Sequence, residues 1–142
     1  MIHLKRSRGT PDAFQSKAIK SDIKKYQDYY KRSAKERAQE RFRSHVVGDT
    51  AETLECVARE FHYKCTTCET FLDNTNLVCD SWRPRGSAKG PDGEFSTDHY
   101  WWLAYEWRNK YALCSDCDNY KGSWFPVEGG RAPIEEIGRA HV

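Results

Sequence analysis

Two Cys-x-x-Cys pairs constrain this chain more than anything else in it. The first is Cys65-Thr66-Thr67-Cys68 and the second is Cys114-Ser115-Asp116-Cys117, with 45 residues between them. Each pair can turn two thiolates toward one point, and four converging thiolates suit tetrahedral zinc, which accepts sulfur at about 2.3 Å. Cys65, Cys68, Cys114 and Cys117 are therefore expected to hold a structural Zn2+. The interval exceeds the short spacing of small zinc fingers, so a substantial piece of structure must lie between the two knuckles.

The rest of the composition fits a chain that needs such a staple. Over 142 residues, 38% are apolar and 31% charged, which predicts one domain with a modest core. No stretch approaches the roughly 18 apolar residues of a membrane span, and the N-terminus lacks the apolar core of a signal peptide. A cytoplasmic location without membrane association is expected. There, six cysteines read as metal ligands or free thiols before disulfides. Cys56 and Cys79 have no partner at knuckle spacing and are expected to be free thiols.

Charge divides the chain. Residues 1–45 carry 13 Lys and Arg against 5 Asp and Glu, whereas residues 46–142 carry 10 against 16. A basic arm on an acidic body points to phosphate as a partner, with a solvated helical face or an acidic protein partner as the alternatives.

Local signals order the elements. Thr10-Pro11-Asp12 reads as a helix start, with the helix running to about Arg32. Ser33-Ala34-Lys35-Glu36 fits a capping box, opening a second helical segment to about Arg43. Asp49-Thr50-Ala51-Glu52 fits another, before a helix whose Leu54, Val57, Ala58 and Phe61 follow amphipathic spacing. Residues 77–82 read as a strand, and the glycines and prolines of 84–98 read as a long loop. The run YWWLAYEW at 100–107 predicts a short buried helix, with base stacking as the competing use of its rings. A strand at 111–113 would enter the second knuckle, and a short helix would begin near Asp116. The arm is placed at 1–48, the zinc-stapled domain at 49–128 and a tail at 129–142. Residues 137–142, IGRAHV, look like the translation of a sequencing adapter, so the natural chain is expected to continue beyond about Glu136.

The order of knuckle, strand, loop, Asn, knuckle and helix resembles the HNH endonucleases, whose ββα-metal (His-Me finger) site holds one divalent ion. The stretches YKCTTCET, Trp82-Arg83-Pro84-Arg85, YWWLAYEWRNKYALC and CDNYKGSWFPV are similar to the retron-associated HNH family, related to the nuclease subunit of Septu-type phage-defence systems. The resemblance implies an α+β, zinc-stapled ββα-metal domain with a helical N-terminal arm. It also implies metal-dependent hydrolysis of DNA, with Mg2+ as the expected ion and an ATPase or retron reverse transcriptase as partner. In its terms, Asp80 and Asp118 are metal ligands and Asn109 is the middle Asn that orients the catalytic His. Asp118 stands where the family usually has Asn. Arg83, Arg85 and Lys121 are candidate phosphate contacts, with an ordinary surface role as the alternative.

One position departs from that pattern. Where the family has an acid, a His and an aromatic before Arg-Pro, this chain has Asp80, Ser81 and Trp82. A serine hydroxyl does not titrate near neutrality and cannot replace imidazole as a base. His99, preceded by Asp98, is the candidate replacement, with packing at the aromatic run as its alternative. The hydrolytic reading therefore competes with two others. One is a catalytically degenerate HNH fold that binds nucleic acid or a partner protein without cleaving. The other is a zinc-stapled interaction module whose basic arm docks on an acidic protein.

Overall fold

The computed structural model describes residues 5–7, 9–40, 50–97 and 99–134. The chain is a small α+β protein of four helices and two short antiparallel strand pairs among these residues. The expected arm boundary at 48, the helix end near Arg43, Asp49, Asp98 and the tail at 137–142 lie outside them.

The first helix starts later than Thr10 predicts. Pro11 instead leads into a 3-10 turn, Asp12–Gln15, and Ser16 then caps α1 (Lys17–Lys31) by accepting a hydrogen bond from the Ile19 amide. The early turn has a packing reason. It drops Phe14 into the main core, 4.8 Å from the Trp107 ring. The Ser33 capping box forms as read, with Glu36 bonding back to the Ser33 amide at 2.8 Å, and opens α2 (Ala34–Gln39). Thr50 caps α3 (Ala51–Glu60) through the Thr53 amide. Val57, Ala58 and Phe61 from this helix are buried, as is Thr53, whose hydroxyl is satisfied by the Thr50 carbonyl at 2.9 Å.

α3 ends by reversing the chain into the first knuckle. His62 and Tyr63 take left-handed backbone angles, φ 53 and 55. Such angles cost on the order of 1 kcal/mol each in a residue with a Cβ. Here Tyr63 N–H reaches back to the Ala58 carbonyl at 2.7 Å and its hydroxyl donates to Glu55 at 2.6 Å, which offsets the strain.

β1 (Leu77–Ser81) pairs antiparallel with β4 (Lys110–Cys114), so the interval between the knuckles is closed at its base by a sheet. α4 (Ser115–Lys121) follows β4 without a break. The predicted loop 84–98 contains a second pair, β2 (Ser87–Lys89) with β3 (Phe95–Thr97), turned at Gly93 with φ 76. The chain after α4 is sewn to this pair: Lys89 N–H donates to Ser123 O at 2.9 Å and Phe125 N–H to Lys89 O at 3.0 Å. The aromatic run is buried as expected, but as two 3-10 turns, Trp101–Leu103 and Trp107–Asn109. Trp101 stacks on Tyr30 of α1, with centroids 4.4 Å apart and planes at 10°. An unforeseen contact ties down the N-terminus. The Arg6 guanidinium lies within 5.1–5.3 Å of the rings of Phe61, Trp107 and Tyr111 and donates to the Trp107 and Arg108 carbonyls.

Candidate metal centre and adjoining cleft

The four cysteines that could hold a metal ion come from two tight turns. In the first knuckle, Cys65 N–H donates to Thr70 O and Glu69 N–H to Cys65 O, both at 2.9 Å, with Glu69 at φ 62. Thr66 then fixes this knuckle to β4, its amide and hydroxyl both donating to the Ala112 carbonyl at 2.9 and 2.8 Å. β4 delivers Cys114, and the first turn of α4 delivers Cys117. The four sulfurs lie within 4.8 Å of one another.

That spacing fits zinc. Four sulfurs about 2.3 Å from a common tetrahedral centre are about 3.8 Å apart. Cys68 and Cys114 Sγ are 3.7 Å apart, far beyond the roughly 2.05 Å of a disulfide. Hydrogen bonds to sulfur already favour thiolate. Cys114 N–H points at Cys65 Sγ at 3.3 Å. The Thr70 hydroxyl, followed by the Thr70 amide, lowers the Cys68 thiol to about 6. Burial pushes the Cys117 thiol the other way, reinforced by Cys114. A cation at the centre would resolve that conflict by stabilising all four thiolates. Cys56 and Cys79 lie outside the four-cysteine cluster, and neither is in a disulfide.

The same hairpin and helix build a cleft of about 220 Å³. Its lining includes Asp80, Ser81, Pro84, Arg85, Lys110, Gly122 and Ser123. Asp80, near the end of β1, is ion-paired with Lys121 from the last turn of α4, and Lys121 also donates to the Ser81 carbonyl at 2.9 Å. Asp118, one turn earlier on α4, feels Asp80. Its carboxyl is raised above the ordinary value, first by burial and then by the Asp80 carboxylate, with Lys121 opposing. Ser81 is 4% exposed and accepts a hydrogen bond from Lys110 Nζ at 2.8 Å. Lys110 was not singled out by its sequence position, since one Lys at the start of a strand carries no spacing signal.

The remaining candidates sit around this cleft in different ways. Asn109 is buried and braces the chain after β1. Its Oδ1 accepts from Arg83 N–H at 2.8 Å, and its Nδ2 donates to the Arg83 and Leu103 carbonyls at 3.1 and 3.2 Å. Arg85 lines the cleft. Arg83 instead lays its guanidinium within 5.8–5.9 Å of the Phe125 and Tyr100 rings. His99 is not among the cleft-lining residues. Its Nε2 is 2.8 Å from Ala132 O, its Nδ1 is 3.2 Å from Ser96 Oγ, and its ring meets Tyr100 edge-on. A larger cavity of about 570 Å³ lies between α1 and the aromatic run and, among the described residues, shares no lining residue with the cleft.

Over 77 residues the chain is 42% identical to the Septu protein PtuA of Bacillus mycoides (strain KBAB4). The alignment covers 54% of this chain, and the chain spans 11% of that relative's length. No protein-family model matches the chain, and no solved structure is significantly similar to it. Among the described residues, no helix is long and apolar enough to cross a membrane.

Proposed function

We propose that this chain is a zinc-stapled HNH-type endonuclease domain that hydrolyses DNA phosphodiester bonds within an antiphage defence system. The observation that carries the reading is the meeting of Asp80 and Asp118. Asp80 lies near the end of the strand that leaves the first knuckle and Asp118 follows the second, and α4 packs on β1 so that Lys121, one turn beyond Asp118, ion-pairs with Asp80. Zinc at the four cysteines would hold β4 and α4 in the relation that makes this meeting possible. Two antiparallel strands followed by a helix, with acids where strand and helix face each other, is the arrangement a ββα-metal site needs.

The donor chemistry suits a hard divalent ion. Two carboxylates and the Ser81 carbonyl offer an all-oxygen set of the kind Mg2+ prefers. Such an ion, when bound, would neutralise charge building on the phosphate. Lys121 supplies the positive charge in the present arrangement and would have to yield its contact with Asp80. Arg85 faces the cleft as a phosphate contact, and Asn109 fixes the loop that carries it. The basic α1 and α2 segment would add sequence-independent attraction to DNA.

The 42% match to a Septu protein supports a defence setting with protein partners. An ATPase or a retron reverse transcriptase is the partner class that the sequence resemblance implies. A second reading has its own observation. Lys121 already compensates Asp80, and among the described residues no imidazole lines the cleft, which favours a degenerate fold that binds DNA without cutting it. Incubation of the zinc-loaded protein with supercoiled plasmid, in Mg2+ or in chelator, tests the choice. Divalent-dependent nicking supports hydrolysis, whereas salt-sensitive binding with intact plasmid supports the second reading.

A further inference from the structure

The aromatic run carries a surface that the cleft does not use. The cavity of about 570 Å³ is walled by the rings of Tyr26 and Tyr30 from α1 and of Trp101, Trp102 and Tyr105 from the run. Tyr26 and Trp101 are the most deeply set, while Tyr30, Trp102 and Tyr105 are half-buried. Trp102 Nε1–H is buried without an acceptor among the described residues, which is uncommon for a buried donor. The lining also includes the polar side chains of Gln27, Lys31 and Glu106. α1 extends this polar side. Lys20, Lys24, Gln27 and Lys31 follow one another at spacings of four, three and four, so they form one stripe along the helix. The three lysines are exposed, and the helix as a whole carries five Lys against two Asp. Lys31 approaches Asp28 only at 3.9 Å, an exposed contact that holds it weakly.

We propose that this cavity seats an unpaired base of a single-stranded nucleic acid, with the strand's phosphates following the lysine stripe of α1. Rings that stack on base faces beside cations that track the backbone are the combination that recognises single strands. A duplex keeps its base faces stacked inside, so a concave aromatic site suits a base that has left the stack. Base carbonyls and ring nitrogens would offer the Trp102 N–H an acceptor, and Gln27 and Glu106 can meet the amino groups of a base edge. The stripe from Lys20 to Lys31 covers about 16 Å of helix, room for several phosphates of a strand rather than the few charges of a free nucleotide. Rings alone would also suit an apolar peptide, and the lysine stripe decides for a polyanion. The site does not rest on hydrolysis at the cleft, since the cavity is built from other residues.

The test uses the full chain, zinc-loaded, in buffer without added divalent ion, so that binding is read apart from cutting. Fluorescence anisotropy compares a labelled, mixed-sequence single strand of about 12 nucleotides, as DNA and as RNA, with the duplex of the same sequence. The variants are Trp102→Leu and Tyr105→Leu, with Trp102→Phe and Tyr105→Phe as conservative partners, and melting and zinc content are measured for each. Loss of a stacked base predicts single-strand binding weaker by roughly 5- to 150-fold in the Leu variants and largely restored in the Phe variants. Duplex binding and the slope of log K against log salt should stay unchanged, because no phosphate contact is removed. Binding of either strand with this pattern supports the site, and the tighter one names the sugar it meets. Where a Leu variant does not fold, wild type carries the test: a strand bearing iododeoxyuridine should photocrosslink to Trp101, Trp102 or Tyr105, read by mass spectrometry. Wild-type affinity in both folded Leu variants would overturn the proposal. Equal weakening of strand and duplex, crosslinks confined to other residues, or no single-strand binding by wild type would overturn it too. None of these results bears on hydrolysis, which plasmid nicking reads separately.

Discussion

Cys68 and Cys114 bring their sulfurs to 3.7 Å although 46 positions separate them in the chain. Nothing covalent holds that approach. It is set by the Thr66 bonds to Ala112 on one side and by the entry of β4 into α4 on the other. One Zn2+ per chain is therefore expected. Apparent binding energies of structural zinc run to roughly 10–16 kcal/mol, which exceeds the stability of most domains this size. Cys114→Ser should abolish stoichiometric zinc and cooperative melting. A metal-free protein with unchanged melting would contradict the assignment.

Arg6 is predicted to be a stability residue. Its guanidinium covers three aromatic rings and satisfies two carbonyls at the edge of the core. Cation–π contacts contribute about 0.5–2 kcal/mol each, and they do not add fully. Arg6→Ala should destabilise by about 2 kcal/mol in denaturant unfolding, and Arg6→Lys by less, since lysine lacks the planar fork.

Asn109 should show an Asn-specific requirement. It accepts one bond and donates two from a buried position. Asn109→Asp keeps the acceptor for Arg83 N–H but offers no donor to the Arg83 and Leu103 carbonyls. A loss of about 1–3 kcal/mol is expected, together with looser protection of the 82–86 amides in hydrogen exchange. Equal stability of the Asp variant would show that the donated bonds contribute little.

Lys121 should compete with a divalent ion for Asp80. Partly exposed ion pairs are typically worth about 0.2–1 kcal/mol, so Lys121→Met should tighten Mn2+ binding by roughly 1.4- to fivefold. Electron paramagnetic resonance titration of Mn2+ reads this directly. Weaker binding in the variant would place the ion elsewhere.

The exposed lysines of α1 supply the remaining test of the basic segment. Each phosphate contact removed should reduce the slope of log K against log salt by about 0.9. Replacing Lys20, Lys24 and Lys31 with Gln should flatten the slope while leaving zinc content unchanged.

Sequence reading reached the features that are local. Cysteine spacing, the Ser33 capping box and the amphipathic stripe of α3 all declare themselves within a few residues. What it missed depends on distant partners. β2 is Ser-Ala-Lys among glycines and reads as loop. It becomes a strand because β3 and the segment after α4 hydrogen-bond to it. The 100–107 run has helical composition, but packing bulky rings against α1 on one side and the core on the other breaks it into two 3-10 turns. Thr10 looks like a better cap than Ser16 until Phe14 is seen to need the core. The Ser81–Lys110 pair is legible only from the β1–β4 register, and the bonds of His99 to Ser96 and Ala132 only from the folded loop.

The most direct test of the central claim is cleavage of a labelled DNA duplex by the zinc-loaded chain and by the double variant Asp80→Asn/Asp118→Asn. Hydrolysis by wild type in Mg2+ or Mn2+, reduced at least about 10²-fold in the double variant with zinc content unchanged, is the predicted result. Equal cleavage by both proteins, or none by either under any divalent ion, would contradict it.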